Sequence, residues 1–256
     1  GTTSPKNMVQ IGTTVEQKWT RATVRKIIGA AAWVFLTLSV QGTTWYLDSA
    51  ATGSNSGTSW ANAWRTTATV VWGASGVKAG DTLFVSGGSV SKTYTGVLKV
   101  GASGSSDAVR VTVRVGQDAG HNGTAIISSG GVDISNSSYV TVDGDFGGDR
   151  HLSVAGGVDA SSASYFKLRY IEIYTAAIGI GATYGTGGTI SYCYLRGINS
   201  EAGMQFNARN SGATSYDITL VEHTIISLNR MADGSGTGPD GIQGCPGLTV
   251  DSCTFS

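Results

Sequence analysis

Short runs of alternating apolar and polar residues fill the second half of the chain, and the runs recur. They read Tyr139-Val-Thr-Val142, Lys167-Leu-Arg-Tyr-Ile-Glu-Ile173, Thr189-Ile-Ser-Tyr-Cys-Tyr-Leu195, Thr219-Leu-Val-Glu-His-Thr-Ile225 and Thr249-Val-Asp-Ser-Cys-Thr-Phe255. From the second run on, an apolar residue is followed three places later by Ile171, Cys193, His223 or Cys253. Two places further come Ile173, Leu195, Ile225 or Phe255. A period of two over four to seven residues predicts half-buried strands. The third-place residues lie 22, 30 and 30 positions apart, and recurrence at that interval predicts a solenoid of stacked turn-and-strand units.

A second marker keeps step with the first. A glycine followed by an apolar residue occurs at Gly131-Val132, Gly157-Val158, Gly179-Ile180, Gly203-Met204 and Gly241-Ile242. Each unit therefore holds two or three short strands separated by Gly, Ser, Asn and Asp turns, rich in Val, Ile, Thr and Tyr and without helical periodicity. The pattern predicts an all-β chain folded as a right-handed parallel β-helix. The Leu-x-x-Leu-x-Leu consensus of leucine-rich repeats is missing, and propeller blades need longer, four-stranded units.

Equivalent positions in such a helix form ladders about 4.8 Å apart. Cys193, His223 and Cys253 are then expected to point inward on one ladder. The two thiols, two coils apart, would lie about 9–10 Å from each other, too far for a disulfide. Phe255 closes the last copy with nothing to cover it, so the solenoid is expected to be truncated at its C-terminus.

Composition narrows the setting. Seventeen basic residues balance 17 acidic ones, and only 13% of the chain is charged, which leaves no basic face for nucleic acid. Before the solenoid, Lys18, Arg21, Arg25 and Lys26 precede the apolar run 27–40 and a small-residue exit at Val40-Gln41-Gly42. That order describes a secretory signal peptide, too short for a stable membrane span. The competing reading is an amphipathic helix covering the first coil. Residues 1–42 are taken as the leader and 43–256 as the β-helix domain, and the protein is expected to be secreted.

The stretch from Thr44 to Ile127 reads Trp45-Tyr-Leu-Asp48, a Gly-rich loop from Gly53 to Trp64, Val77-Lys-Ala-Gly-Asp-Thr-Leu-Phe-Val85, and then the strands Tyr94–Val100 and Val111–Val115. It resembles the opening of secreted bacterial β-helix proteins of the pectate-lyase-like superfamily, with Ala79 standing where a proline is usual. The resemblance implies the same fold and an extracellular polysaccharide as partner, cleaved by lyase or hydrolase chemistry or only bound, as in adhesins and tailspikes. Physically, Gly80 and Asp81 make a tight turn into the strand Leu83–Val85. Trp60 and Trp64, four apart, are expected to cap the first coil from a short helix.

The longest interval between markers, Met204 to Ile242, holds a polar Gly-rich loop bearing Asn229, Arg230, Asp233 and Asp240. Loops of that kind carry function on rigid solenoids. Asp240 and Asp233 are candidate catalytic carboxylates, as a general acid/base pair or as ligands of a possible calcium ion. Arg230 and Asn229 are candidate substrate contacts. Asp233-Gly and Asp240-Gly are also ordinary turn formers. Asp240-Gly-Ile242 further resembles part of the Asn-Thr-Asp-Gly-Ile motif of polygalacturonase-like hydrolases, with Gly238-Pro239 replacing its first two residues. Asp143, Asp145 and Asp149 form a trio read either as calcium ligands or as a solvated turn. No histidine or cysteine spacing fits a zinc site.

Overall fold

The computed structural model describes residues 42–198, 202–206, 219–228, 240–243 and 248–256, and of Thr219, Leu228, Asp240 and Gln243 the backbone only. The signal-like leader, Cys245 and the loop residues Asn229, Arg230 and Asp233 lie outside these residues. Successive strands fall in turn into three all-parallel sheets. Sheet 1 begins with Thr44–Leu47, Thr82–Val85 and Val111–Val115 and ends with Leu248–Asp251. Sheet 2 runs from Ser91–Tyr94 to Thr254–Phe255, and sheet 3 from Leu98–Lys99 to Asp240–Gln243. This is a right-handed parallel β-helix, as the repeat predicts. One antiparallel hairpin, Asp145–Phe146 with Asp149–Arg150, projects from it. Among the described residues no helix is long and apolar enough to cross a membrane.

Like residues stack on like. On sheet 1, Leu83, Val113, Val142, Leu168 and Ile190 are in register and face inward. On sheet 2, Ile127, Val154, Ile173, Leu195 and Ile226 do the same, and all five are fully buried. The glycine markers align on sheet 3, where Val132, Val158, Ile180, Met204 and Ile242 pair in order. The marker glycines have a steric reason. Gly131 and Gly157 have φ of +75° and +85°, and a Cβ on either would come within 2.3–2.4 Å of a carbonyl oxygen of the next coil.

From the fourth coil on, the chain turns from sheet 1 to sheet 2 on a single left-handed residue, Ser252 in the last coil (φ 50°) and, before it, Tyr170, Tyr192 and His223, with φ of 54°, 56° and 46°. Their rings stack outside the coil at 4.8 and 4.9 Å, nearly parallel, which is the coil spacing itself. His223 is therefore exposed at the corner and not on the cysteine ladder. Ile190 pairs with Val221, not Leu220, so the true ladder runs Ile171, Cys193, Thr224, Cys253 and its neighbour runs through Ile226 in place of Ile225. A slip of one residue exchanges faces, and Leu220-Val221 offered two apolar starting points. Cys193 is buried and Cys253 half-buried, both as free thiols. Burial pushes the Cys193 thiol up to about 12.

The first coil is closed without a helix at 60–64. Trp64 is buried and stacks on Trp45 at 5.3 Å, whereas Trp60 lies half-buried on the outer surface against His121, 3.9 Å between ring centres. Asp81 earns its place at the turn by accepting the N–H groups of Thr43 and Lys78 and the Trp45 indole N–H.

The aspartate trio divides: Asp145 and Asp149 flank the hairpin turn at Gly147-Gly148, where Asp145 accepts the Gly148 N–H, but Asp143 is not solvated. Asp143 is only 6% exposed. It sits in the outward row of sheet 1 between Arg114 and Arg169, in register with both, with Nε–carboxylate distances of 3.5 and 3.3 Å. Asp145 reaches the same two guanidiniums at 3.9 and 3.8 Å. Asp149 is exposed on the hairpin, and among the described residues no three His, Cys, Asp or Glu side chains converge on a metal position. Burial holds the Asp143 carboxyl above its ordinary value, outweighing the backbone N–H of Asp145 and the two arginines that favour its charge.

Two predictions follow from this scaffold. A left-handed non-glycine residue costs about 1–2 kcal/mol, and an aromatic stack returns about 0.5–1.5 kcal/mol. Tyr192→Ala should therefore lower stability by about 1–2 kcal/mol, whereas Tyr192→Gly, which relieves the strain, should come within about 0.5 kcal/mol of the parent; urea titration separates the two. For Asp143, the raised folded pKa means that its contribution to stability is full below the unfolded pKa and falls as pH rises through the folded one. The Tm of Asp143→Asn minus that of the parent should therefore rise between about pH 4 and pH 7. A difference that falls over that range would contradict the burial argument.

Candidate functional site

Among the described residues, ion pairs join Asp107 to Arg110 and Lys167 and Glu172 to Arg196, and three further groupings of polar and charged side chains are separated by access. The first is the Arg114–Asp143–Arg169 row. Its charges neutralise one another and its carboxylate is buried, so it reads as a fastening between coils. The Nε atoms of both arginines are buried without hydrogen-bond partners among the described residues, the residual cost of that geometry.

The second place is the corner beneath Trp60. His121 Nδ1 lies 2.9 Å from Ser86 Oγ and 3.2 Å from an Asp48 carboxylate oxygen, and the other oxygen of Asp48 meets Lys92. An Asp–His–Ser grouping invites a nucleophilic reading, but the geometry refuses it. Serine and aspartate meet the same ring nitrogen, so the imidazole cannot relay a proton between them, and Ser86 is fully buried. The group instead ties the loop after Thr44–Leu47 to the next two coils. Burial pushes the Asp48 carboxyl up, but Lys92, the Ala50 N–H and Ser86 together pull it below the usual range.

The third place is open and concave. The outward row of sheet 3 reads Lys99, Asp133, Asp159, Gly181, Gln205, in register from coil to coil. Lys99 pairs with Asp133 at 3.2 Å. Burial pushes the Asp133 carboxyl up, and the Ser135 hydroxyl and N–H, with Lys99, bring it below the usual range. Gly181 leaves a gap in the row. Around it lies a trough of about 340 Å³, walled by Asp159 and Gln205, edged by Ser161 and Thr183, and floored by Ala177 and Ile178. Toward the N-terminal end of the same sheet a second groove of about 640 Å³ runs between Trp72, Thr66 and Val70 on one side and Thr95, Val97 and Lys99 on the other. Both volumes fall in the range of small-molecule sites. They line up along the helix axis, over five strands that span on the order of 20 Å.

Of the four candidate site residues, Asp240 is the one among the described residues, and there by its backbone. It opens the strand Asp240–Gln243 at the edge of sheet 3, in register with Ala202, and Gln243 is in register with Gln205. The trough residues themselves were not singled out, yet the sequence marks them. Asp159, Gly181 and Gln205 each follow directly after a glycine-apolar marker pair. In a strand the residue after an inward one faces out, so the marker that locates the core also locates the face.

No family profile matches the chain, and no curated protein matches it in sequence. Among solved structures, a rhamnogalacturonan lyase superposes with a TM-score of 0.42 at 13% identity, over 84% of this chain and 63% of that one. The chain thus spans less than two thirds of that protein's length. The strand pairing, and not this likeness, establishes the β-helix.

Proposed function

We propose that this is an extracellular β-helix protein that holds a polysaccharide along the outer face of sheet 3 and cleaves it. The observation that carries the reading is the alignment of the trough and the Trp72 groove on one line parallel to the helix axis. A linear polymer matches that line, and a compact ligand would need only one of the two cavities. Cavities with apolar floors and a few convergent polar groups suit sugars, whose C–H faces and hydroxyls need both. In this proposal the loop before Asp240 supplies the chemistry. Asp240 and Asp233 act as acid and base or hold calcium, and Arg230 and Asn229 contact the substrate.

A second reading, binding without cleavage, draws on one observation. The described lining of the trough has a single carboxylate, Asp159, whereas glycosidic cleavage uses two. Incubation with pectin, polygalacturonate, alginate, xylan and mixed-linkage glucan separates the readings. Cleavage predicts new reducing ends or unsaturated ends with at least one polymer, lost by about a hundredfold or more in Asp240→Asn with the fold intact. Retention of a polymer in affinity electrophoresis without any product supports the binding reading, and retention of none sinks both.

A further inference from the structure

The chemistry of the trough selects among polysaccharides, and it points away from acidic ones. Resting on the proposal that sheet 3 holds a glycan, we infer that the notch at Gly181 is a subsite for an uncharged sugar unit and disfavours a uronate. Three observations carry this.

The first is charge. Asp159 is exposed and is the only charged side chain among the described residues that line the trough. The nearest cation along the row, Lys99, is already paired with Asp133. A carboxylate on a bound sugar would meet Asp159 with no described cation between them, and like charges brought together oppose binding.

The second is the hydrogen-bonding pattern. One oxygen of Asp159 accepts the Ser161 N–H at 2.9 Å, so the other remains an acceptor toward the trough. Thr183 Oγ1 donates to Ser161 Oγ at 3.0 Å, which leaves the Ser161 hydroxyl proton free to be given outward. A strong acceptor and a donor therefore stand side by side. A sugar hydroxyl, donor and acceptor at once, satisfies both, whereas a carboxylate can only accept and leaves Asp159 unanswered.

The third is the gap itself. Gly181 is not in a left-handed conformation, and a Cβ there would meet only Ile178 Cγ2, at an ordinary 3.8 Å. Neither the backbone nor the packing requires glycine at this position, in contrast to Gly157 or Gly179, whose added Cβ would come within 2.4 Å of a carbonyl oxygen. The absent side chain is what opens the floor of the trough between Asp159 and Gln205.

That freedom supplies a test in which folding is not at issue. Binding of cellohexaose, xylohexaose, mannohexaose and hexagalacturonate is measured by calorimetry at about 0.1 M salt, where exposed charges still act over about 10 Å. The parent should bind at least one neutral hexasaccharide about tenfold or more tightly than hexagalacturonate. Gly181→Leu should keep the parent's Tm and lose that binding by a similar factor. Asp159→Asn should narrow the gap by improving hexagalacturonate. If hexagalacturonate binds as well as every neutral sugar and is lost in Gly181→Leu, the trough holds glycan but the neutral preference is wrong. If all four bind unchanged to Gly181→Leu, or none binds the parent, the sheet 3 proposal falls with it.

Discussion

Everything in this molecule depends on one constraint: each coil must lie on the last in a register that sets like positions about 4.8 Å apart. Hydrogen bonding along the three sheets enforces the spacing, and the core then fills by repetition. Leu, Ile and Val ladders run the length of the stack because an inward position in one coil is an inward position in the next. No single contact carries the fold. A fully buried aliphatic residue contributes on the order of 1.5–3 kcal/mol relative to exposure, and the interior repeats that contribution from coil to coil while each new coil buries the open edge of its predecessor.

The same register acts on the outside. Where the turn between sheets 1 and 2 shrinks to one residue, the backbone must go left-handed, and tyrosines accept that conformation because their rings then stack at the coil spacing. Where opposite charges alternate, they fasten neighbouring coils, as in Arg114, Asp143 and Arg169. Where small and polar residues align, as on sheet 3, the outcome is a trough. Core, corner, fastening and binding face are four products of one translation, and they differ only in which side chains it brings into line.

Much of this was legible in the sequence. The alternating runs and glycine markers predicted coils of two or three strands, of which three form, and the markers gave the register of sheet 3 correctly. The register of sheet 1 slipped by one at Leu220-Val221, because two adjacent apolar residues satisfy an alternating pattern equally well and only pairing with Ile190 decides between them. That slip put His223 inside when it caps a tyrosine stack. Asp143 read as a turn residue because local sequence does not reveal partners 29 and 26 positions away, at Arg114 and Arg169. The trough escaped notice for a different reason. Its defining residue is a glycine whose role is an absence, and sequence chemistry searches for groups that are present.

The charged row on sheet 1 has a consequence for how such a solenoid can change length. β-helices differ by whole coils, and most ladders here would tolerate the loss of one, since Val would simply meet Leu. The coil carrying Asp143 is an exception. Excising it would seat Arg114 against Arg169, replacing two attractions by a repulsion between partly buried cations. Duplicating it would stack two Asp143 carboxylates directly on each other. Alternating charge thus makes this stretch of the stack indivisible, and changes in coil number are left to the regions on either side of it.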